Sequence, residues 1–312
     1  MDRRSFLGTS AALGLSTGAS EARAQALTPM TIAPLAGPSD SALYYAQQQG
    51  WFRQAGLDLT IQPTPSGSAA MSALVGGSIQ VSEGNILSLA GVHAKGIPMT
   101  LIAPGSIFDA SLTPSVRLVV SAASTVKSPK DLGGKTVAVP SLSDLLSIST
   151  RSLIDKSGGD SNAVHFIEMP PAAMGAALQA QRVDAAGMYE PFLSGALAQG
   201  ARPIGVPYAA LAPRFMIVAW FAYGPWAQTH RETVAAFVSV VTRAAAYANA
   251  HARDLIPMIS GFSHIPEDVL ATMQIVQIAS TLDPALIQPI INAAAKYKVI
   301  PQTFPAKDLI FA

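Results

Sequence analysis

Two periods of hydrophobic and polar positions alternate along this chain. "MTIAP" reads as a strand, "LAGPSDS" as a loop and "ALYYAQQQG" as a helix stopped at Gly50. "WFRQAGLDLTIQP" adds a turn of helix, a stop at Gly56 and a second strand. "SGSAAMSALVGG" predicts a helix opened by Ser66 or Ser68, and "SIQVSEG" a third strand. A second cycle follows: strands at "VRLVVSAA", "TVAVPS", "AVHFIEMP" and "VDAAGMYEP", with helices at "LSDLLSISTRSLIDKSGG" and "PAAMGAALQAQR". Strands interleaved with helices of about ten residues predict parallel βαβ units and an open α/β sheet. The two cycles also echo one another faintly: Ala73-Leu74 leads into Ile79 to Val81, and Ala177-Leu178 into Val183 to Ala185.

The last third changes character. The apolar run "FMIVAWFAYG" predicts a buried strand, and long helical patterns follow at "RETVAAFVSVVTRAAAYANAH", "PEDVLATMQIVQIAS" and "PALIQPIINAAAKYKV". A helical tail of this kind packs back over an earlier sheet. The expectation is a first lobe over 27–118 plus 210–312 and a second over 119–209, with two chain crossings forming a hinge.

The amino terminus alters the picture of where such a protein works. Arg3-Arg4-Ser5-Phe6-Leu7 precedes a mildly apolar stretch and then Ala22-Arg23-Ala24, whose small residues suit a signal peptidase. Residues 1–24 therefore read as a twin-arginine export signal, cleaved near Ala24, which places the mature chain in the periplasm. Removing it leaves 17 basic against 17 acidic residues, so no charge favours nucleic acid or an anionic membrane surface. Half the residues are hydrophobic, yet no later apolar run approaches the ~20 residues of a membrane helix. The absence of cysteine excludes disulfides, iron–sulfur clusters and a thiol nucleophile. His93, His165, His230, His251 and His264 are isolated, and neither a metal nor a cofactor is expected.

Two catalytic patterns fail on inspection. Gly134-Lys135-Thr136 ends like a phosphate loop, but Pro129 stands where that loop needs glycine. Ser124-Thr125-Val126-Lys127 matches a serine–lysine nucleophile motif with no companion motif, in the stretch that connects the lobes.

At "YYAQQQGWFRQAGLDLTI", "SALVGGSIQVSEGN", "SPKDLGGKTVAV" and "ALQAQRVDAAGMYEPF" the chain resembles substrate-binding proteins of ABC importers. The group is the nitrate, sulfonate and taurine type, which includes binders of thiamine pyrimidine precursors. Gly50-Trp51-Phe52, Gly56-Leu57-Asp58, Lys130-Asp131-Leu132 with Gly134-Lys135, Asp184-Ala185 and Glu190-Pro191 carry the match in family order. Gln80 departs from it, standing where relatives often have an acid, and the loop after "VAVP" lacks the glycine-led turn common in sulfonate binders. The resemblance implies a periplasmic-binding-protein-like fold of type II, two α/β lobes closing on a small molecule. It also implies presentation to an inner-membrane permease and no catalysis; a monomer is expected.

The candidate ligand contacts lie where strands end and helices begin. They are Ser39, Asp40, Tyr44, Ser66, Gly67, Ser68, Glu83, Asn85 and Phe108 in lobe one, and Ser141, Ser143, Tyr189 and Glu190 in lobe two. Tyr44 and Phe108 are placed to stack on a planar ligand, and Trp51 reads as a core anchor. The nearby arginines are Arg117, Arg151 and Arg214; the nearby acids are Asp40, Glu83, Asp109, Asp144 and Glu190. An organic anion would be held by hydroxyls and helix amides, whereas an amino-pyrimidine would use the carboxylates as acceptors. The first reading is a sulfonate or carboxylate, with the pyrimidine precursor close behind and an enzyme on the same fold as a third possibility.

Overall fold

The computed structural model describes residues 26–64, 67–273 and 277–312. Residues 1–24, read above as an export signal, and Ser66 lie outside them. Within the described residues thirteen strands form three sheets: β1 (Thr28–Ala33), β2 (Leu57–Ile61), β3 (Val81–Asn85), β4 (Met99–Pro104), β5 (Ser106–Asp109), β6 (Val116–Val120), β7 (Thr136–Val139), β8 (His165–Glu168), β9 (Ala185–Tyr189), β10 (Arg202–Gly205), β11 (Arg214–Met216), β12 (Val218–Tyr223) and β13 (Gln277–Ile278).

The first sheet runs β2-β1-β3-β12-β4 and the second, read from its other edge, β8-β7-β9-β6-β10. The two are built alike. In each, the three leading strands are parallel, the fourth is antiparallel to its neighbour, and the fifth is antiparallel to the fourth. Ile32 pairs with Val81 in the first sheet as Val137 pairs with Ala185 in the second. The faint repeat in the sequence falls on this equivalence, since the helices Gly67–Val75 and Pro171–Gln179 precede β3 and β9.

Alternating side chains give both sheets two buried faces. In β12, Trp220 packs with Phe52 and Phe237 on one side, while Phe221 packs with Ile86 and Leu89 on the other. In the second sheet Val119 and Ala138 face Met174 and Leu178, whereas Leu118, Val120 and Val137 face Ile154 and Leu132. The central strands β12, β6 and β9, buried on both faces, are correspondingly near-continuous in apolar residues, apart from Arg117, whereas β2, β8 and β10 at the edges carry polar positions.

The third sheet, β11-β5-β13, departs from the sequence reading twice. The run expected to be one buried strand divides at Ile217, whose N–H donates to Ser106 O at 2.8 Å while its carbonyl accepts from Ile86 N at 3.0 Å. Each half therefore joins a different sheet. The helical pattern at "PEDVLATMQIVQIAS" ends at Thr272, and Gln277–Ile278 forms an edge strand against β5.

The lobes are also joined away from the strand ends. Leu145 and Ile148 of the helix Leu145–Lys156 pack into the same core as Ile287 and Ile290 of the helix Pro284–Lys296. Asp155 accepts from Tyr297 Oη at 2.7 Å and pairs with Lys296 Nζ at 3.3 Å. Tyr297→Phe removes that hydroxyl from a part-buried acceptor and is expected to lower stability by about 1 kcal/mol in a urea titration. An unchanged midpoint would show the contact to be incidental.

Candidate functional site

Parallel strands bring their carboxyl ends to one edge, and loops at that edge form ligand sites in open α/β sheets. Here β1 and β3 end at Ala33 and Asn85, β7 and β9 at Val139 and Tyr189. A cavity of about 190 Å³ opens at the first of these edges, lined by Ser39, Ser106, Phe108, Asp109, Thr113, Ser115 and Gln277 among others. No lysine or arginine is among its described lining residues. A larger concavity of about 460 Å³ lies around Gly175, Gln179 and Gln199 on the helices of the second lobe, with no charged lining residue. It lies at the opposite edge, beside Ser121 and the start of β9, and the smaller cavity is the better site by topology.

Asp40 and Glu83 lie beneath Ser39. Asp40 is fully buried and Glu83 only 3 % exposed. Glu83 reaches this position from β3, where its register partner on β12 is Trp220. Asp40 closes the 3-10 turn Pro38–Asp40 and precedes the helix Ser41–Gln48. The loop before it turns through Ala36 at φ 57°, and the Ala36 and Gly37 amides point at the Asp40 carboxyl, Gly37 N–H reaching Oδ2 at 2.9 Å. Ser39 Oγ donates to Glu83 Oε2 at 3.4 Å. Burial pushes Asp40 up to about 6, while the neighbouring Glu83 carboxyl and the Gly37 and Ala36 amides pull the other way. Burial, and then the charge of Asp40, hold Glu83 well above the usual carboxyl range.

The second lobe repeats half of this arrangement. Asp144 caps the helix Leu145–Lys156, its Oδ1 accepting from Ser147 N at 2.7 Å, and burial raises it to about 6. The register equivalent of Glu83 is Gly187, where a Cβ would sit 3.2 Å from Leu146. A second acid there would have to push Leu146 aside. Tyr189 and Tyr208 are both raised, first by burial and then by the nearby Asp144 charge.

The other sequence candidates divide by what already holds them. Tyr44 stacks on Phe262 at 4.0 Å, and Phe108 is wedged between Tyr208 and Phe215, so both rings have protein partners. Asn85 caps the helix Ile86–Ala94 by accepting from Ser88 N at 2.7 Å. Gly67 and Ser68 open the helix Gly67–Val75. Ser141 donates to Glu168 at 3.1 Å, Ser143 is exposed, and Glu190 accepts from Ser194 N at 3.1 Å. Tyr189 is only partly covered, 36 % exposed, and edge-on to Phe192. Of the nearby arginines, Arg214 pairs with Asp109 at 3.6 Å and Arg151 lies over Phe166 at 4.1 Å. Sequence reading missed Ser106, Thr113, Ser115 and Gln277, which reach the cavity only through the third sheet and its connections.

The raised acids set a pH dependence. Between about pH 4 and pH 6 the folded protein holds protons on Asp40 and Asp144 that the unfolded chain has released, so stability falls as pH rises through that window. Glu83, raised by the same burial, adds to the fall. The melting temperature is expected to be higher at pH 4.5 than at pH 7, with a shallower slope in the Asp40→Asn, Asp144→Asn double variant. A wild-type melting temperature that rises over this range would refute the assignment.

A family model described as NMT1/THI5 like matches residues 38–254, from the turn beneath the cavity into the helical tail. The chain belongs to the NMT1/THI5-like family. No curated protein matches it. Among solved structures it is similar to the periplasmic aliphatic sulphonate binding protein SsuA from Escherichia coli, 19% identical, with a TM-score of 0.75 over 91% of this chain and 97% of that one. It is also similar to the alkanesulfonate-binding protein SsuA from Xanthomonas axonopodis pv. citri bound to MOPS, 18% identical, with a TM-score of 0.68 over 91% and 98%. The desulfurization enzyme DSZB, 14% identical, gives 0.67 over 91% and 96%. This NMT1/THI5-like chain thus has the two-lobed periplasmic-binding-protein fold, which serves binding proteins and at least one enzyme.

Proposed function

We propose that this chain is the periplasmic solute-binding component of an ABC importer, without catalytic activity. In this reading it closes its lobes, 27–118 plus 210–312 and 119–209, on a small organic anion such as a sulfonate or carboxylate. The observation that carries it is the hydroxyl-lined cavity at the strand ends of one of two like-built sheets, where Ser106, Thr113 and Ser115 offer neutral hydroxyls. Membership of the NMT1/THI5-like family and likeness to sulfonate-binding structures support the same class. Closure follows from better ligand contacts in the closed state, and an inner-membrane permease would recognise that state. The twin arginines, on this reading, export a folded binding protein.

One observation favours a second ligand. The buried acids under Ser39 and the engagement of Arg214 and Arg151 by protein partners suit a donor-rich molecule such as an amino-pyrimidine. Thermal unfolding against sulfonates, carboxylates, nitrate and amino-pyrimidines decides between the two. A ligand at a hundredfold excess over Kd adds about 2.7 kcal/mol, a rise of roughly 5–10 °C. A shift without consumption of the ligand supports a transport receptor; turnover of the ligand would replace it with an enzyme.

A further inference from the structure

Asp40 and Glu83 bring four carboxyl oxygens into a space closed to solvent. Two have donors: Gly37 N–H on Asp40 Oδ2 and Ser39 Oγ on Glu83 Oε2. The other two, Asp40 Oδ1 and Glu83 Oε1, are buried without an N–H or O–H partner. Neither acid is in an ion pair with a lysine or arginine among the described residues. Tyr44 faces Asp40 from the helix Ser41–Gln48, Trp220 stands opposite Glu83 on β12, and the Leu35 and Ala36 amides approach from the loop. None of these brings a positive side chain.

Two buried anionic oxygens without donors would repel one another at a cost that burial magnifies, whereas one proton between them satisfies both. That proton fixes the role of Ser39. A serine hydroxyl has one hydrogen to give and two lone pairs to offer. With its hydrogen donated to Glu83, Ser39 turns only acceptor capacity toward the cavity it lines.

We propose that Asp40 and Glu83 share one proton between Oδ1 and Oε1 and thereby hold Ser39 as a hydrogen-bond acceptor, selecting ligands that present an N–H or O–H donor beside it. Asp40 and Glu83 are positioning residues in this scheme, and Ser39 is the contact. The inference rests on the reading that this cavity holds the solute. It narrows the class to amino-bearing organic acids or amino-heterocycles over their unsubstituted counterparts.

Matched ligand pairs test it. Calorimetric affinities of the mature protein would be compared for 2-aminoethanesulfonate against ethanesulfonate, and for 4-amino-2-methylpyrimidine against 2-methylpyrimidine. The expected result is at least tenfold tighter binding of the amino member of whichever pair binds. The ratio should collapse toward one in Ser39→Ala and persist in Glu83→Gln, whose amide can still donate to Asp40 and accept from Ser39. Equal affinities within each pair overturn the selection while leaving the solute-binding reading intact; no binding by any of the four overturns the ligand class and the selection together. Carbon-13 carboxyl titration by NMR reads the proton itself: one neutral carboxyl in the pair at pH 7 is expected, and both ionised by pH 5 overturns the sharing whatever binds.

Discussion

Glu83→Ala is expected to lower the unfolding free energy by about 2–3 kcal/mol in a denaturant titration, the cost of leaving buried polar groups without a partner. Asp40 would remain fully buried with Oδ1 unpartnered, and Ser39 would lose its acceptor. Glu83→Gln keeps shape and hydrogen bonding and should lose about 1 kcal/mol or less. The contrast between the two variants isolates the pair from side-chain volume. If the alanine variant is as stable as the glutamine variant, the pair contributes nothing beyond filling space, and the placement of Ser39 owes nothing to it.

Gly105→Ala should cost about 3 kcal/mol, at the upper end of overpacking penalties, because the clash is with backbone. A Cβ at this position would lie 2.5 Å from the Val218 carbonyl oxygen and 3.1 Å from Ala219 Cα. Gly105 joins β4 to β5, and its carbonyl accepts from Ala279 N at 2.9 Å, so the first and third sheets meet on it. Ser106, the next residue, lines the cavity. Solute affinity is therefore expected to fall with stability. A methyl added at Gly91, in the helix Ile86–Ala94, would meet open space, and Gly91→Ala should instead stabilise by about 0.5–1 kcal/mol. Equal melting temperatures for the two variants would remove the steric account of Gly105.

Most of the long elements were legible because local signals agreed. The helix Leu145–Lys156 has a capping acid at Asp144, an apolar stripe and a glycine pair beyond its end; the helix Arg231–Ala250 buries Val234, Phe237 and Val241 at helical spacing. The third sheet gave no such signal. Its strands are two to four residues long, too short for period-2 alternation to stand out, and each exists through partners far away in the chain: Phe108 beside Phe215, Ile107 beside Gln277. The apolar run through Ile217 looked continuous because composition does not register which of two sheets a residue joins.

The same division runs through the candidate site. Ser39, Asp40 and Glu83 were recognisable singly as polar residues at strand and helix boundaries. That Asp40 and Glu83 meet was not, since 43 positions separate them and nothing local to either encodes the other.

Residue type and spacing were enough to set the alternation of strands and helices, the two like-built cycles, the absence of thiol chemistry and the polar character of the strand-end loops. These depend on stretches of about a dozen positions, where hydrophobic period and capping act. Folding alone brought two acids into one buried space, engaged Arg214 and Arg151 with Asp109 and Phe166, stacked Tyr44 on Phe262 and set Phe108 edge-on to Tyr208. Charge state and hydrogen-bond direction depend on burial and on partners brought together from distant positions, and the packed chain is what supplies both.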